Sequence, residues 1–185
     1  TKLQQKCVNA LNKDVAKLAK TQGKEISTCL KNAAKERLGA VTAEACLLDD
    51  PRDRVAGVVA RIARDFERRC SAMGSDGLPL YPPFGATRAA AIEAAVIDEE
   101  TDIVHDLFGN DLDAAVITLV AGKDASKCQL AIAKDMGKCK DTALKEFNKC
   151  KKSGLKEGSF TTAADLATCM GADPRGKVAR ACDAT

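Results

Sequence analysis

Nine cysteines and a single histidine are the residues of this 185-residue chain with the most chemistry in them. Thiols can bind soft metals, act as nucleophiles or oxidise to disulfides, and their spacing decides between these uses. No two cysteines stand in a CxxC or CxxCH arrangement. Zinc sites need Cys and His ligands in short, clustered spacings, so a structural zinc is not expected. A Cu(I) store wants many thiols packed within a few ångströms, whereas these cysteines are isolated, one or more helical turns apart. So many cysteines are unusual in a reducing compartment. Disulfides are the expected state, ahead of buried free thiols or a thiolate metal store.

His105 lies in DIVHDLFGNDLD, near Asp102, Asp106, Asp111 and Asp113. Imidazole and carboxylates can share an ion, but the spacing follows no calcium-loop signature and one histidine makes a poor transition-metal site. An exposed acidic face is the expected state. Ser, His and Asp all occur, yet no GxSxG frames a nucleophile and there is no second histidine to serve as base. Glycines at 74, 77 and 85 fall in a Pro-rich stretch, not at a strand-to-helix turn, so no phosphate loop is present. The lysines fall mostly on outer helix faces with few aromatics to stack on bases, and no nucleic-acid partner is expected. With no constellation of nucleophile, base and orienting group, the chain reads as non-enzymatic, with no cofactor.

The elements that hold these residues are helical. Ala, Lys, Asp and Leu dominate, aromatic residues are thin and Trp is absent, a composition that favours helix over strand. No apolar run approaches the ~20 residues of a membrane span. The net charge of +3 conceals blocks. Residues 1–45 hold nine Lys/Arg against four Asp/Glu, 91–113 hold eight acids and no Lys or Arg, and 123–156 are basic again. Solvated helix faces account for such blocks; if they have a partner, the acidic block is expected to meet a basic helix of this chain or of a neighbour.

Sliding the opening segment by 121 residues lays Cys7 on Cys128 and Cys29 on Cys150. Between them Leu11, Val15, Leu18, Gln22 and Ile26 fall on Ile132, Met136, Cys139, Ala143 and Phe147. Steps of 4, 4 and 3 make an eleven-residue period of about three helical turns, which keeps every member on one face. Beyond the stripe, Asp50-Pro51-Arg52 matches Asp173-Pro174-Arg175. Asp followed by Pro starts a helix: Asp caps free N–H groups and Pro fits the first turn. Each unit is thus a long helix, a loop with one helical turn and a returning helix. The long helices are expected to stop at Gly39 and Gly154.

Antiparallel helices pair cysteines at equal heights. Cys29 with Cys46 forms the rung nearest the loop. Cys7 then lies ~33 Å down one helix and Cys70 ~28 Å down the other, so these two form the lower rung. In the second unit Cys150 pairs with Cys169, and Cys139 (~16 Å down) pairs with Cys182 (~12 Å down). The positions matching Cys139 and Cys182 are Leu18 and Val59, both apolar, as expected of residues that touch. Cys128 remains unpaired or intermolecular. Its partner would fall about eight to ten residues past Thr185, so Cys128, Ile132 and Met136 are expected to lie open. Either the natural chain continues past Thr185 or another molecule covers them. The start at Thr1 rather than Met suits a processed or trimmed protein.

The segments ASKCQLAIAK, KEFNKCKKSGLKEG, DPRGKVARAC and HDLFGNDLDAAV resemble uncharacterised secreted, cysteine-rich helical-repeat proteins of environmental bacteria. The resemblance spans most of the chain and implies export and repetition, with no active site to carry over.

The chain therefore reads as all-α: two disulfide-stapled antiparallel helical hairpins, an internal repeat, joined by a Pro/Gly linker and short acidic helices. The first hairpin occupies residues 1–70, the linker and acidic helices 71–122, and the second, truncated hairpin 123–185. Short helices are expected over 87–97 and 112–120, with DEETDIVHDLFGN between them or partly helical. The expected role is an exported structural or interaction module, secreted or periplasmic, that self-associates or forms part of a longer repeat array. The alternative is an extracellular carrier holding an apolar ligand or metal between the hairpins.

Overall fold

The computed structural model describes residues 2–71, 89–160 and 162–183; the expected linker at 71–86 lies almost wholly outside them. The described residues form eight α-helices and no strand. Helix α1 (Lys2–Ala34) is the axis of the molecule. Its apolar stripe of Leu11, Leu18, Ile26 and Leu30 is buried, and so are Cys7 and Cys29. The covered face is wide enough to take in polar residues as well. Gln22 donates from Nε2 to the carbonyl of Leu47 at 2.8 Å, and Glu25 faces Arg54 at 3.2 Å.

Three helices surround α1. Helix α3 (Arg54–Arg69) runs antiparallel to it, after a single turn, α2 (Ala43–Cys46), capped by the Thr42 side chain. Helix α4 (Ala89–Phe108) runs parallel to α1: Ile92 packs by Cys7 and Leu11, Val96 by Leu18 and Ala19, and Val104 by Ile26 and Leu30. After α5 (Leu112–Ala115), the 35-residue helix α6 (Lys123–Glu157) runs antiparallel to α1. Gln5 thus reaches Leu155, Asn12 meets Asn148 and Lys151, and Gly23 lies beside Lys140. Helices α7 (Ala163–Gly171) and α8 (Lys177–Cys182) then fold back on α6.

Several boundaries differ from those read in the sequence. The acidic segment is one 20-residue helix, α4, and not a short helix at 87–97. The carboxylates conceal a continuous stripe of Ile92, Val96, Glu100 and Val104, in which Glu100 stands at an inward position. Of 112–120 only Leu112–Ala115 is helical. Helix α1 stops before Gly39: Arg37 N–H bonds the Asn32 carbonyl at 2.8 Å and Glu36 N–H that of Ala33 at 2.9 Å, with Glu36 left-handed at φ 56°. This is a Schellman stop with glutamate where glycine is usual. The Ala34 carbonyl it leaves over accepts from Leu119 N–H at 2.8 Å. A side chain strains this φ, and its negative charge opposes the helix dipole. Glu36→Gly is therefore expected to stabilise the fold by about 0.5–1 kcal/mol, read by urea denaturation.

Gly154 is not a stop either. Helix α6 passes through it to Glu157 and ends with Gly158 left-handed at φ 72°. Gly154 is buried instead because the Phe160 ring lies on it, where an added Cβ would come within 2.4 Å of Phe160 Cε1. Gly154→Ala should displace the ring and lower stability by about 1–3 kcal/mol. An unchanged denaturation midpoint would show that Phe160 swings aside at no cost.

Candidate functional site

The cysteines are placed by the helices that carry them. Cys7 is joined to Cys70 with Cα atoms 5.1 Å apart, and Cys29 to Cys46 at 5.7 Å. Cys139 is joined to Cys182 at 4.6 Å and Cys150 to Cys169 at 5.7 Å. The first two rungs tie α1 to α2 and to the end of α3, and the other two tie α6 to α8 and α7. Leu18 is fully buried, and Val59 packs against the same apolar cluster. Cys128 is free and exposed.

The returning helices of the two hairpins begin alike. Asp50 accepts Arg54 N–H at 2.8 Å and Ala56 N–H at 2.9 Å through its two carboxylate oxygens. Asp173 accepts Lys177 and Ala179 N–H at the same two distances. The bond from Ala179 N–H is the main force holding the Asp173 carboxyl below the usual carboxylate range. The turn closes through a left-handed residue, Asp53 at φ 51° and Gly176 at φ 58°. A helix start with satisfied N–H groups so close to its cysteine fixes where the staple falls.

Besides Glu25, two further charged groups are buried against α1 among the described residues. Asp14 is almost wholly enclosed between α1 and α3, with Arg61 Nε 3.2 Å from Oδ1 but off the line of a hydrogen bond. Burial, and then a shared hydrogen bond with Asp65, pushes the Asp14 carboxyl up. Asp65 goes down: against its own desolvation, hydrogen bonds from Asp14 and Arg68 favour its charged form. The two carboxyls are thus shifted in opposite directions, with Arg61, Arg68 and Arg69 around Asp65. The second group is Glu100 of α4, paired with Lys140 of α6 directly over Gly23 of α1. A Cβ at position 23 would lie 3.0 Å from Glu100 Oε2 and 3.2 Å from Lys140 Nζ, so a larger residue there would press on the pair by a few tenths of an ångström. Burial pushes Glu100 up, and Lys140 opposes that shift.

The acidic segment thus meets basic helix α6 through Glu100, while Asp98 and Glu99 face outward. His105 is not part of an exposed acidic face. Its Nε2 lies 2.6 Å from Glu44 of α2, whose second oxygen accepts Leu112 N–H at 3.4 Å. Asp111 caps α5 and Asp113 accepts Ala43 N–H, so these two serve local backbone and are not gathered around His105. Among the described residues no group of three His, Cys, Asp or Glu could hold a metal ion, and no helix is long and apolar enough to cross a membrane.

Among the described residues a face and a cleft stand open. On the N-terminal half of α6, Cys128 and Ile132 are exposed and Met136 is half-buried. A cleft of about 240 Å³ lies between the end of α1 and α5, with Leu38, Val41 and Val116 among its apolar walls and Glu36 and Asp113 among its polar ones. Sequence reasoning missed the Asp14–Asp65 and Glu100–Lys140 groups. Their only signal is a charge falling in step with an apolar stripe. Comparison of the chain with protein families, with curated proteins and with solved structures gives no match. The fold and its bonds define an all-α, disulfide-stapled helical protein.

Proposed function

We propose that the protein is an exported, non-enzymatic structural or interaction module, built from two repeats of a stapled hairpin and assembling through the one it leaves open. The observation that carries this reading is the contrast between matched positions: Cys7 and Leu11 are 0 % and 5 % exposed, whereas Ile132 is 37 % exposed and Cys128 has no partner. A seam that is closed in one hairpin and open in the other is a surface for another helix. Four disulfides suit a secreted or periplasmic protein, since such bonds do not persist in the reducing cytosol. The shared Asp-Pro-Arg turn supports repetition. The buried carboxyls hold helices together: Glu100 joins α4 to α6 through Lys140, and Asp14 lies between α1 and α3.

A maleimide should label one thiol per folded molecule in dilute solution, and Cys128→Ser should abolish that labelling. At high concentration labelling should slow as the sedimentation coefficient rises. A monomer at every concentration, with label on another cysteine, would overturn the reading. The cleft beside α5 favours a second reading, a carrier of a small apolar molecule. Native mass spectrometry of protein purified from its source separates the two, since a carrier arrives with added mass.

A further inference from the structure

We propose that copies of this chain associate head to tail, the outward face of α4 in one copy docking on the open N-terminal half of α6 in the next. The inference rests on the self-assembly reading and supplies its contact surfaces. On α4, Val96, Glu100 and Val104 point inward. The opposite face is exposed and carries Ala91, Ala95, Asp98, Asp102 and Asp106. Those five positions form one straight stripe, small and apolar at one end and acidic over ~12 Å at the other. On α6, the exposed Lys127, Ala131, Lys134 and Lys138 form a stripe of ~16 Å along the edge of the Cys128–Ile132 seam.

Signs select the arrangement. A two-fold contact through α6 would set lysine stripe against lysine stripe, and one through α4 would set acid against acid. Only the heterologous pairing of α4 with α6 is attractive while also covering Ile132 with alanine. The lysine stripe is not already neutralised. Lys127 lies 3.9 Å from the exposed Asp124, and the exposed Lys138 pairs with the half-buried Asp135; both are pairs one turn apart on the same helix, a class of contact that is weak. Helices α7 and α8 are anchored to α6 only from Cys139 onward, so they leave the N-terminal half of α6 clear. The two faces lie on different helices of one copy, and each docking event leaves one of each free. The product is an open chain of copies and not a closed dimer.

Sedimentation velocity of the oxidised, full chain tests this. Association should be strong at about 0.01 M salt and largely lost at about 1 M, where the screening length falls to ~3 Å. The pair Lys134→Glu and Lys138→Glu should weaken association on the order of 100-fold, and so should Asp98→Lys with Asp102→Lys. All four positions are exposed, so the melting temperature should not move. Mixing the two variants makes the faces complementary again and should restore assembly. If wild type assembles but the variants do so equally well, or their mixture stays monomeric, this docking is wrong while the assembly reading stands. If wild type is monomeric at low salt, both fail.

Discussion

Removing the Cys7–Cys70 bond, by substituting both cysteines with Ala, will destabilise the fold by about 4 kcal/mol. The cross-link spans 63 residues, and tying so long a loop restricts the unfolded chain by about that much on the loop-entropy account. The shorter Cys29–Cys46 link, spanning 17 residues, is worth about 3 kcal/mol by the same reasoning. The lower rung also closes the end of the bundle. Cys7 and Cys70 form a small apolar cluster with Leu11, against which Phe66 and Ile92 pack, remote from the larger clusters around Leu18 and Ile26. Guanidinium denaturation of the oxidised double variant measures the loss. A loss under about 1 kcal/mol would mean that side-chain packing alone sets the height of α3 on α1.

The second large effect concerns Lys140→Met. Lys140 is the cation beside Glu100, and removing it leaves a carboxylate enclosed by α1, α4 and α6. Breaking a buried pair from one side typically costs about 3–5 kcal/mol. Replacing both residues with methionine should recover most of that loss, because two apolar side chains leave no charge to compensate. The pH dependence carries a definite sign. The Glu100 carboxyl is already pushed up by burial, and without Lys140 it rises further. A carboxyl raised in the folded state is best tolerated below its unfolded value and penalises folding as pH rises through its folded one. The gap between Lys140→Met and wild type should therefore be widest at neutral pH and narrow on acidification. A gap independent of pH would assign the effect to lost packing.

Both effects lie on features of different legibility. The stapled hairpins are legible because helical rise is fixed, so equal heights on antiparallel helices constrain which cysteines can meet. The Asp-Pro turns are legible because capping is local: the residues that make it stand within six positions of one another. The Glu100–Lys140 pair is not local. Its partners stand 40 residues apart, and only the parallel course of α4 along α1, unread in the sequence, brings them over Gly23. Glu36 as a helix stop was hidden for another reason. Glycine is the usual signal, Gly39 lay nearby, and backbone bonding in the last turn decided the position. For the candidate interaction face, the unpaired Cys128 is visible in the spacing, whereas the outward stripe of α4 emerges only once its inward side is known.

The rungs also govern how the chain transmits force. Tension applied at the two termini passes from Cys7 straight to Cys70 and from Cys139 straight to Cys182, bypassing the chain between them. About 220 Å and 150 Å of contour are thereby withheld from extension, while the stretch from Cys70 to Cys139 can yield roughly 240 Å. Under oxidising conditions the module is thus two inextensible blocks on either side of the 70–139 stretch, and a reductant more than doubles the fully stretched length.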